Sequence, residues 1–160
     1  MMKKASSKKG FTLVEMLVTL TILSILAIAI LPMAKVAVKR EKEITLRRNL
    51  RILREAIDEY KKLADEKKFE FDEESEGYPP ELKVLVEGVE IEITVEGEEK
   101  TKIVKFLRRI PVDPMTNSIE WGLRSYQDDF DSDVWGGENV YDIYTRSPGT
   151  ALDGTKYRDW

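Results

Sequence analysis

The chain has 160 residues and an acidic balance, with 26 basic and 30 acidic side chains and a formal net charge of −4. This length fits one domain with an anchoring segment rather than two domains. Cys and His are both absent, which excludes a disulfide framework, thiol chemistry and the commonest general base. Phosphate-binding loops, the G-x-S-x-G motif and His-based metal motifs are also missing. We therefore expect a protein that is not an enzyme.

The N-terminal part of the sequence combines a basic start with a long apolar run. Four Lys and no acid precede Gly10, and residues 16–34 then form an uncharged stretch of 19 residues. That length is enough to cross the hydrocarbon core of a bilayer as a helix. The apolar segment carries one acid, Glu15, and such an acid costs about 2.5–3.5 kcal/mol on insertion scales. The pattern predicts a transmembrane helix over residues 11–33 and raises the question of what partners Glu15.

Residues 10–15, GFTLVE, resemble the processing motif of type IV pilins and type II secretion pseudopilins. The Lys-rich residues before the motif and the apolar run after it, with Pro32 in the anchor helix, belong to the same resemblance. The resemblance implies that a prepilin peptidase removes a leader of residues 1–10. The peptidase would cut between Gly10 and Phe11 and methylate the new N-terminal Phe.

The same resemblance implies a partner for Glu15. Cleavage leaves Phe11 with a positively charged amine, and methylation keeps that charge. Glu15 can pair with this amine on a neighbouring subunit, and relief of the burial cost then drives helices together into a filament. Two alternatives stay open. Glu15 could instead snorkel to the interface near the helix start, and the segment could be an ordinary secretory signal cleaved at Ala27-Ile28-Ala29.

The resemblance and a simple charge count predict opposite membrane orientations. More basic residues follow the apolar segment than precede it, and the positive-inside rule alone would leave the C-terminal part in the cytoplasm. Long domains, however, translocate largely regardless of charge. The resemblance implies a single-pass inner-membrane protein with its N-terminus in the cytoplasm and its head in the periplasm. The basic residues in question are Lys35, Lys39, Arg40, Lys42, Arg47, Arg48 and Arg51.

An amphipathic stripe predicts that the helix continues over residues 34–68. Apolar residues recur at alternating spacings of four and three among charged neighbours. Pro32 removes one backbone donor, so we expect it to bend or locally open the helix. The stripe could pack on the chain's own head or form a coiled-coil seam. Its members are Leu46, Leu50, Leu53, Ile57, Tyr60 and Ala64.

The remainder, residues 69–160, predicts a globular head. After the polar break DEESEGYPP, Pro80 opens a short helix with Leu82, Leu85 and Val86 on one face. Alternating apolar and acidic residues then indicate a half-buried strand, which the GEEK segment turns into a hairpin. The predicted fold class is α+β, with one long N-terminal helix packed on a small antiparallel sheet. The predicted strands cover residues 89–95, 101–106, 121–127 and 139–146.

The head carries a second, narrower resemblance. IPVDP at residues 110–114, Trp121 and the ending ALDGTKYRDW at residues 151–160 resemble the major pseudopilin of type II secretion systems. The similarity is weak between Val89 and Lys105. Many such pseudopilins bind calcium before the C-terminus, so calcium is the one cofactor that the resemblance implies.

Two acidic clusters offer oxygen ligands for calcium. The cluster at residues 128–133 fails as an EF-hand, because Val134 replaces the required Gly and Val140 stands where the bidentate Glu belongs. The tail is the preferred candidate, although Asp153-Gly154 is also an ordinary turn pair. The candidate ligands are the carbonyl of Leu152 and the side chains of Asp153, Thr155 and Asp159.

These patterns predict a structural subunit of a type II secretion pseudopilus, which polymerises through its N-terminal helix to drive protein export across the outer membrane. The expected partners are further copies of the chain, other pseudopilins, the inner-membrane assembly platform and prepilin peptidase.

The alternative is a type IV pilin or competence-type filament subunit. Nucleic acid is not expected as a partner, because loss of the four leader Lys leaves 22 basic against 30 acidic residues, a net charge of −8. A membrane-anchored enzyme is the third class, and no motif supports it.

Overall fold

The computed structural model describes residues 10–95 and 98–160, and it has the predicted α+β architecture. Contacts divide the chain into two compact units, Met1–Lys39 and Arg40–Trp160. Short 3-10 turns lie at Glu73–Ser75 and Tyr157–Asp159. The regular elements in chain order are α1 (Leu13–Asp65), α2 (Val84–Glu87), β1 (Val89–Val95), β2 (Glu98–Val104), β3 (Gly122–Arg124) and β4 (Asp142–Tyr144).

Helix α1 confirms the predicted long helix with small changes at its ends. It begins at Leu13 and ends at Asp65, three residues before the predicted end. Lys67 adopts a left-handed conformation with φ of 52°, which a helix cannot accommodate, and this explains the earlier end. The helix runs through Pro32 without a break in its helical assignment.

The predicted stripe on α1 is the centre of the core in the unit Arg40–Trp160. All six of its members are buried, from Leu46 to Ala64. The first five, up to Tyr60, belong to one core cluster with Trp121, Val140 and Ile143 of the head. Full burial of one such aliphatic or aromatic side chain stabilises a fold by about 1.5–3 kcal/mol. Packing on the chain's own head therefore accounts for the stripe, and a coiled-coil seam is not needed.

The strands form two separate two-stranded antiparallel sheets, rather than the one small sheet that was predicted. In the first, β1 has the predicted bounds, but β2 begins at Glu98 instead of residue 101. Part of the predicted GEEK turn is thus strand, and its Gly97 lies outside the described residues.

The second sheet, β3 with β4, has three residues in each strand, fewer than predicted. Beside β4, the amide of Tyr141 still donates to the carbonyl of Arg124 in β3, but the amide of Val140 donates to the carbonyl of Pro79 at 2.8 Å and leaves the ladder.

Helix α2 is shorter than predicted and joins the hairpin to the core. It starts at Val84 rather than at Pro80, and Leu82 and Leu85 are buried as expected. It ends at Glu87 and is capped by Gly88, where φ is +89° and an added Cβ would lie 2.5 Å from the carbonyl oxygen of Val104. Only glycine fits this position, because the chain turns directly against β2.

Candidate functional site

The predicted cleavage junction lies at the accessible start of α1. Gly10 and Phe11 precede the first helical residue, and both are exposed. A Cβ added at Gly10 would meet nothing within 4 Å, so the surrounding chain leaves room for a peptidase at the junction. The structure thus places the junction at an accessible site, and cleavage and methylation there stay predictions.

Thr12 caps α1 and fixes the position of Glu15. The Oγ1 atom of Thr12 accepts a hydrogen bond from the backbone N–H of Glu15 at 3.2 Å. This contact makes Thr12 the N-cap and puts Glu15 in the first helical turn, where the helix dipole favours a negative charge. The sequence prediction missed Thr12, although the spacing Thr-x-x-Glu is a known capping signal.

The Glu15 carboxylate is exposed on this first turn. No residue in the described part of the chain donates a hydrogen bond to it or forms an ion pair with it. Pairing with the amine of Phe11 would involve a second chain and stays a prediction. An acid in this position can still serve that role, because its carboxylate is presented outward from the helix.

The rest of the N-terminal segment presents an apolar surface. Its large apolar side chains between Phe11 and Val38 are each at least 52% exposed in the described structure. The polar side chains among them are satisfied internally, since Thr19, Thr21 and Ser24 donate to backbone carbonyls of their own helix at 2.8–2.9 Å. This first part of α1 is long and apolar enough to cross a membrane.

The predicted calcium ligands in the tail hydrogen-bond to one another and to neighbouring residues. The Oδ1 atom of Asp153 accepts from the backbone N–H and hydroxyl of Thr155, at 2.9 and 2.6 Å. The other oxygen, Oδ2, lies 3.4 Å from the guanidinium of Arg47. The hydrogen bonds from Thr155, followed by the charge of Arg47, lower the pKa of Asp153. The indole of Trp160 donates to the Thr155 hydroxyl at 2.7 Å.

Asp159, the second candidate carboxylate, has contacts of its own. Asp159 has its closest described ion-pair partner in Arg158, at 3.8 Å. Within residues 10–95 and 98–160, no group of three or more Asp, Glu, His or Cys is arranged to hold a metal ion. Calcium binding by the tail residues stays a prediction.

The second acidic cluster is organised as a closed loop. The Oδ2 atom of Asp128 accepts from the backbone N–H of Ser125 at 2.7 Å and of Gly136 at 3.1 Å. Arg158 donates a hydrogen bond to the carboxylate of Asp133 at 3.0 Å, and this bond raises the pKa of Arg158. These contacts hold the loop against the tail.

The IPVDP segment has a structural role in the head. Asp113 is completely buried and accepts from the backbone N–H of Met115 at 2.8 Å and from the hydroxyls of Thr116 and Thr145. The indole of the buried Trp121 donates to the carbonyl of Pro111 at 3.0 Å. The second resemblance therefore falls partly on residues that stabilise the head.

Comparison with known proteins gives one family match. The family described as "Prokaryotic N-terminal methylation motif" matches residues 5–31. Neither the curated proteins nor the solved structures give a match. The matched segment contains Gly10, Phe11 and Glu15, and it is the signal of type IV pilin-like, prepilin-type subunits. Such a motif implies processing by prepilin peptidase, membrane association and filament assembly.

Proposed function

We propose that this chain is a structural subunit of a type II secretion pseudopilus. The observation that carries the proposal is the methylation motif at residues 5–31, followed by a helix whose apolar side chains are exposed. In the proposal, prepilin peptidase removes residues 1–10 on the cytoplasmic side, and residues 11–33 anchor the mature chain in the inner membrane. The continuing helix of residues 34–68 and the head of residues 69–160 lie in the periplasm.

The exposed apolar surface supports polymerisation. A helix with this surface is stable in lipid or packed against similar helices, but not in water. Transfer from the bilayer to a filament exchanges one apolar environment for another. The hydrophobic effect then contributes little to the difference between the two states, and specific contacts decide it. In the proposal, pairing of the Glu15 carboxylate with the Phe11 amine of a neighbouring subunit supplies such a contact.

The narrower assignment to secretion depends on the head. IPVDP, Trp121 and the tail at residues 151–160 resemble the major pseudopilin, whereas the methylation motif also fits a type IV pilin. Complementation separates the two. Expression should restore export in a strain that lacks its major pseudopilin and should not restore piliation in a strain that lacks its major pilin. The reverse result would favour the type IV pilin alternative.

Processing is tested by the intact mass of protein extracted from membranes that contain prepilin peptidase. We expect a chain that starts at Phe11 and carries one added methyl group. A control variant, Gly10→Val, should keep the leader, because a β-branched side chain at the junction obstructs the peptidase. A chain that starts at Ile30 would instead indicate ordinary signal cleavage and contradict the proposal.

Assembly is tested by Glu15→Gln, which keeps the size and polarity of the side chain and removes its charge. Processing and membrane insertion should continue, while the yield of sheared filaments should fall strongly. Loss of one partner from a buried ion pair typically costs about 3–5 kcal/mol. Glu15→Asp, which retains the charge on a shorter side chain, should keep more assembly than Glu15→Gln. Normal filament yield from Glu15→Gln would show that the carboxylate has no pairing role and would leave the snorkelling alternative.

A further inference from the structure

Three side chains on one face of α1 hold the tail of the head. They are Glu43, Arg47 and Arg54, which we call the α1 clasp. Their separations of four and seven residues put them on a single helical face. All three contact residues 142–160, so one face of the helix organises the end of the described chain.

Glu43 binds the tail at two points. Its Oε1 atom accepts from the backbone N–H of Leu152 at 2.9 Å and from the phenol of Tyr157 at 2.8 Å. Tyr157 is only 3% exposed, so water cannot readily replace this acceptor. These two bonds fix the start and the end of the turn that contains Asp153.

Arg54 binds the last described residue of the tail. Its Nη2 atom donates to the backbone carbonyl of Trp160 at 2.8 Å, while its Nε atom donates to Asp142 of β4 at 2.7 Å. The tail is thereby tied both to α1 and to the second sheet.

Arg47 supplies the positive charge at the turn itself. Its guanidinium lies 4.0 Å from the ring centroid of Trp160, within the range of a cation–π contact, and 3.4 Å from Oδ2 of Asp153. Asp153 is the carboxylate that the sequence predicts as a calcium ligand. The cation beside it is therefore part of the chain, and a divalent ion bound there would face like-charge repulsion from the guanidinium.

We propose that the α1 clasp replaces a metal ion in this head, with Arg47 as the built-in cation, so that the tail folds without calcium. Each side of the arrangement supports this: Asp153 already accepts from Thr155, Thr155 accepts from Trp160, and Trp160 lies under Arg47. The proposal concerns the fold of the head and does not depend on which filament system the chain serves.

Thermal unfolding of the full chain in detergent micelles tests the proposal, with near-UV circular dichroism reporting on the head. The melting temperature should be the same after exhaustive chelation and in millimolar calcium chloride. Arg47→Met keeps the aliphatic stem and removes the charge. It should lower the melting temperature by about 2–4 °C, the scale expected for loss of one ion pair and one cation–π contact in a chain of this size.

The matched control is Arg48→Met. Arg48 is exposed on the same turn, and no residue in the described chain pairs with its side chain, so this variant should melt like the wild type. Limited proteolysis gives a second readout, since release of the tail in Arg47→Met should expose the peptide bonds around residues 151–156. A wild-type melting temperature that falls on chelation would overturn the proposal in favour of calcium. So would equal behaviour of Arg47→Met and Arg48→Met, because the guanidinium would then have no special role.

Discussion

The contact between Glu43 and Tyr157 allows the sharpest test of how α1 stabilises the head. Glu43→Ala removes the acceptor of two hydrogen bonds, one from Leu152 and one from the buried phenol of Tyr157. Leu152 is 45% exposed, so water can satisfy its backbone N–H in the variant. Tyr157, by contrast, is only 3% exposed, and removal of the acceptor of a buried donor costs about 1–3 kcal/mol.

The expected magnitude follows from these two contributions. The Tyr157 bond dominates, and we expect Glu43→Ala to reduce the free energy of unfolding by about 2 kcal/mol. For a chain of this size that corresponds to a melting temperature lowered by about 4–8 °C. The control is Glu41→Ala on the same turn, where the side chain is exposed and no residue in the described chain pairs with it.

A double-mutant cycle isolates the pair. Tyr157→Phe removes the hydroxyl that needs an acceptor, so Glu43→Ala should cost less in a Tyr157→Phe background than in the wild type. The two changes should couple by about 1–2 kcal/mol, measured from thermal unfolding of the four proteins in the same micelles. Strictly additive effects would refute the reasoning, because they would mean that the carboxylate and the phenol do not depend on each other.

Two further predictions concern the interior of the head. Asp113→Ala should destabilise the chain by about 3 kcal/mol, because it removes the acceptor of Thr145 and Thr116 in a completely buried position; a loss below about 1 kcal/mol in thermal unfolding would contradict this. Burial, together with the hydrogen bond to Glu43, raises the pKa of Tyr157 from its ordinary value of 10 to about 12. The folded state thus favours the neutral phenol, and the stability it contributes is complete below pH 10 and lost as the pH rises towards 12. Melting temperatures measured across this range should fall more steeply for the wild type than for Tyr157→Phe, and parallel curves would refute the assignment.

The sequence by itself determined the features that depend on local pattern. The apolar run and the amphipathic stripe predicted α1 because helix periodicity involves residues three or four positions apart. The Thr-x-x-Glu cap, which the sequence analysis missed, is an equally local signal. The alternation in residues 89–95 defined β1 for the same reason, since a strand has a period of two. The motif around Gly10 and Phe11 is equally local, and a family match on residues 5–31 recovered it.

Only the tertiary structure decided how the head is held together. Glu43 and Tyr157 are 114 positions apart, and Arg54 and Trp160 are 106 apart, so no local pattern marks them as partners. The sequence analysis assigned Asp153 to calcium because a carboxylate beside a turn is ambiguous until its neighbours are known. The fold places Arg47 beside that carboxylate. A charged helix residue that the sequence pattern assigns to the solvent-facing side therefore contacts the tail. The second sheet shows the same effect, because the amide of Val140 donates to Pro79, which is distant in sequence, and so does not extend the ladder.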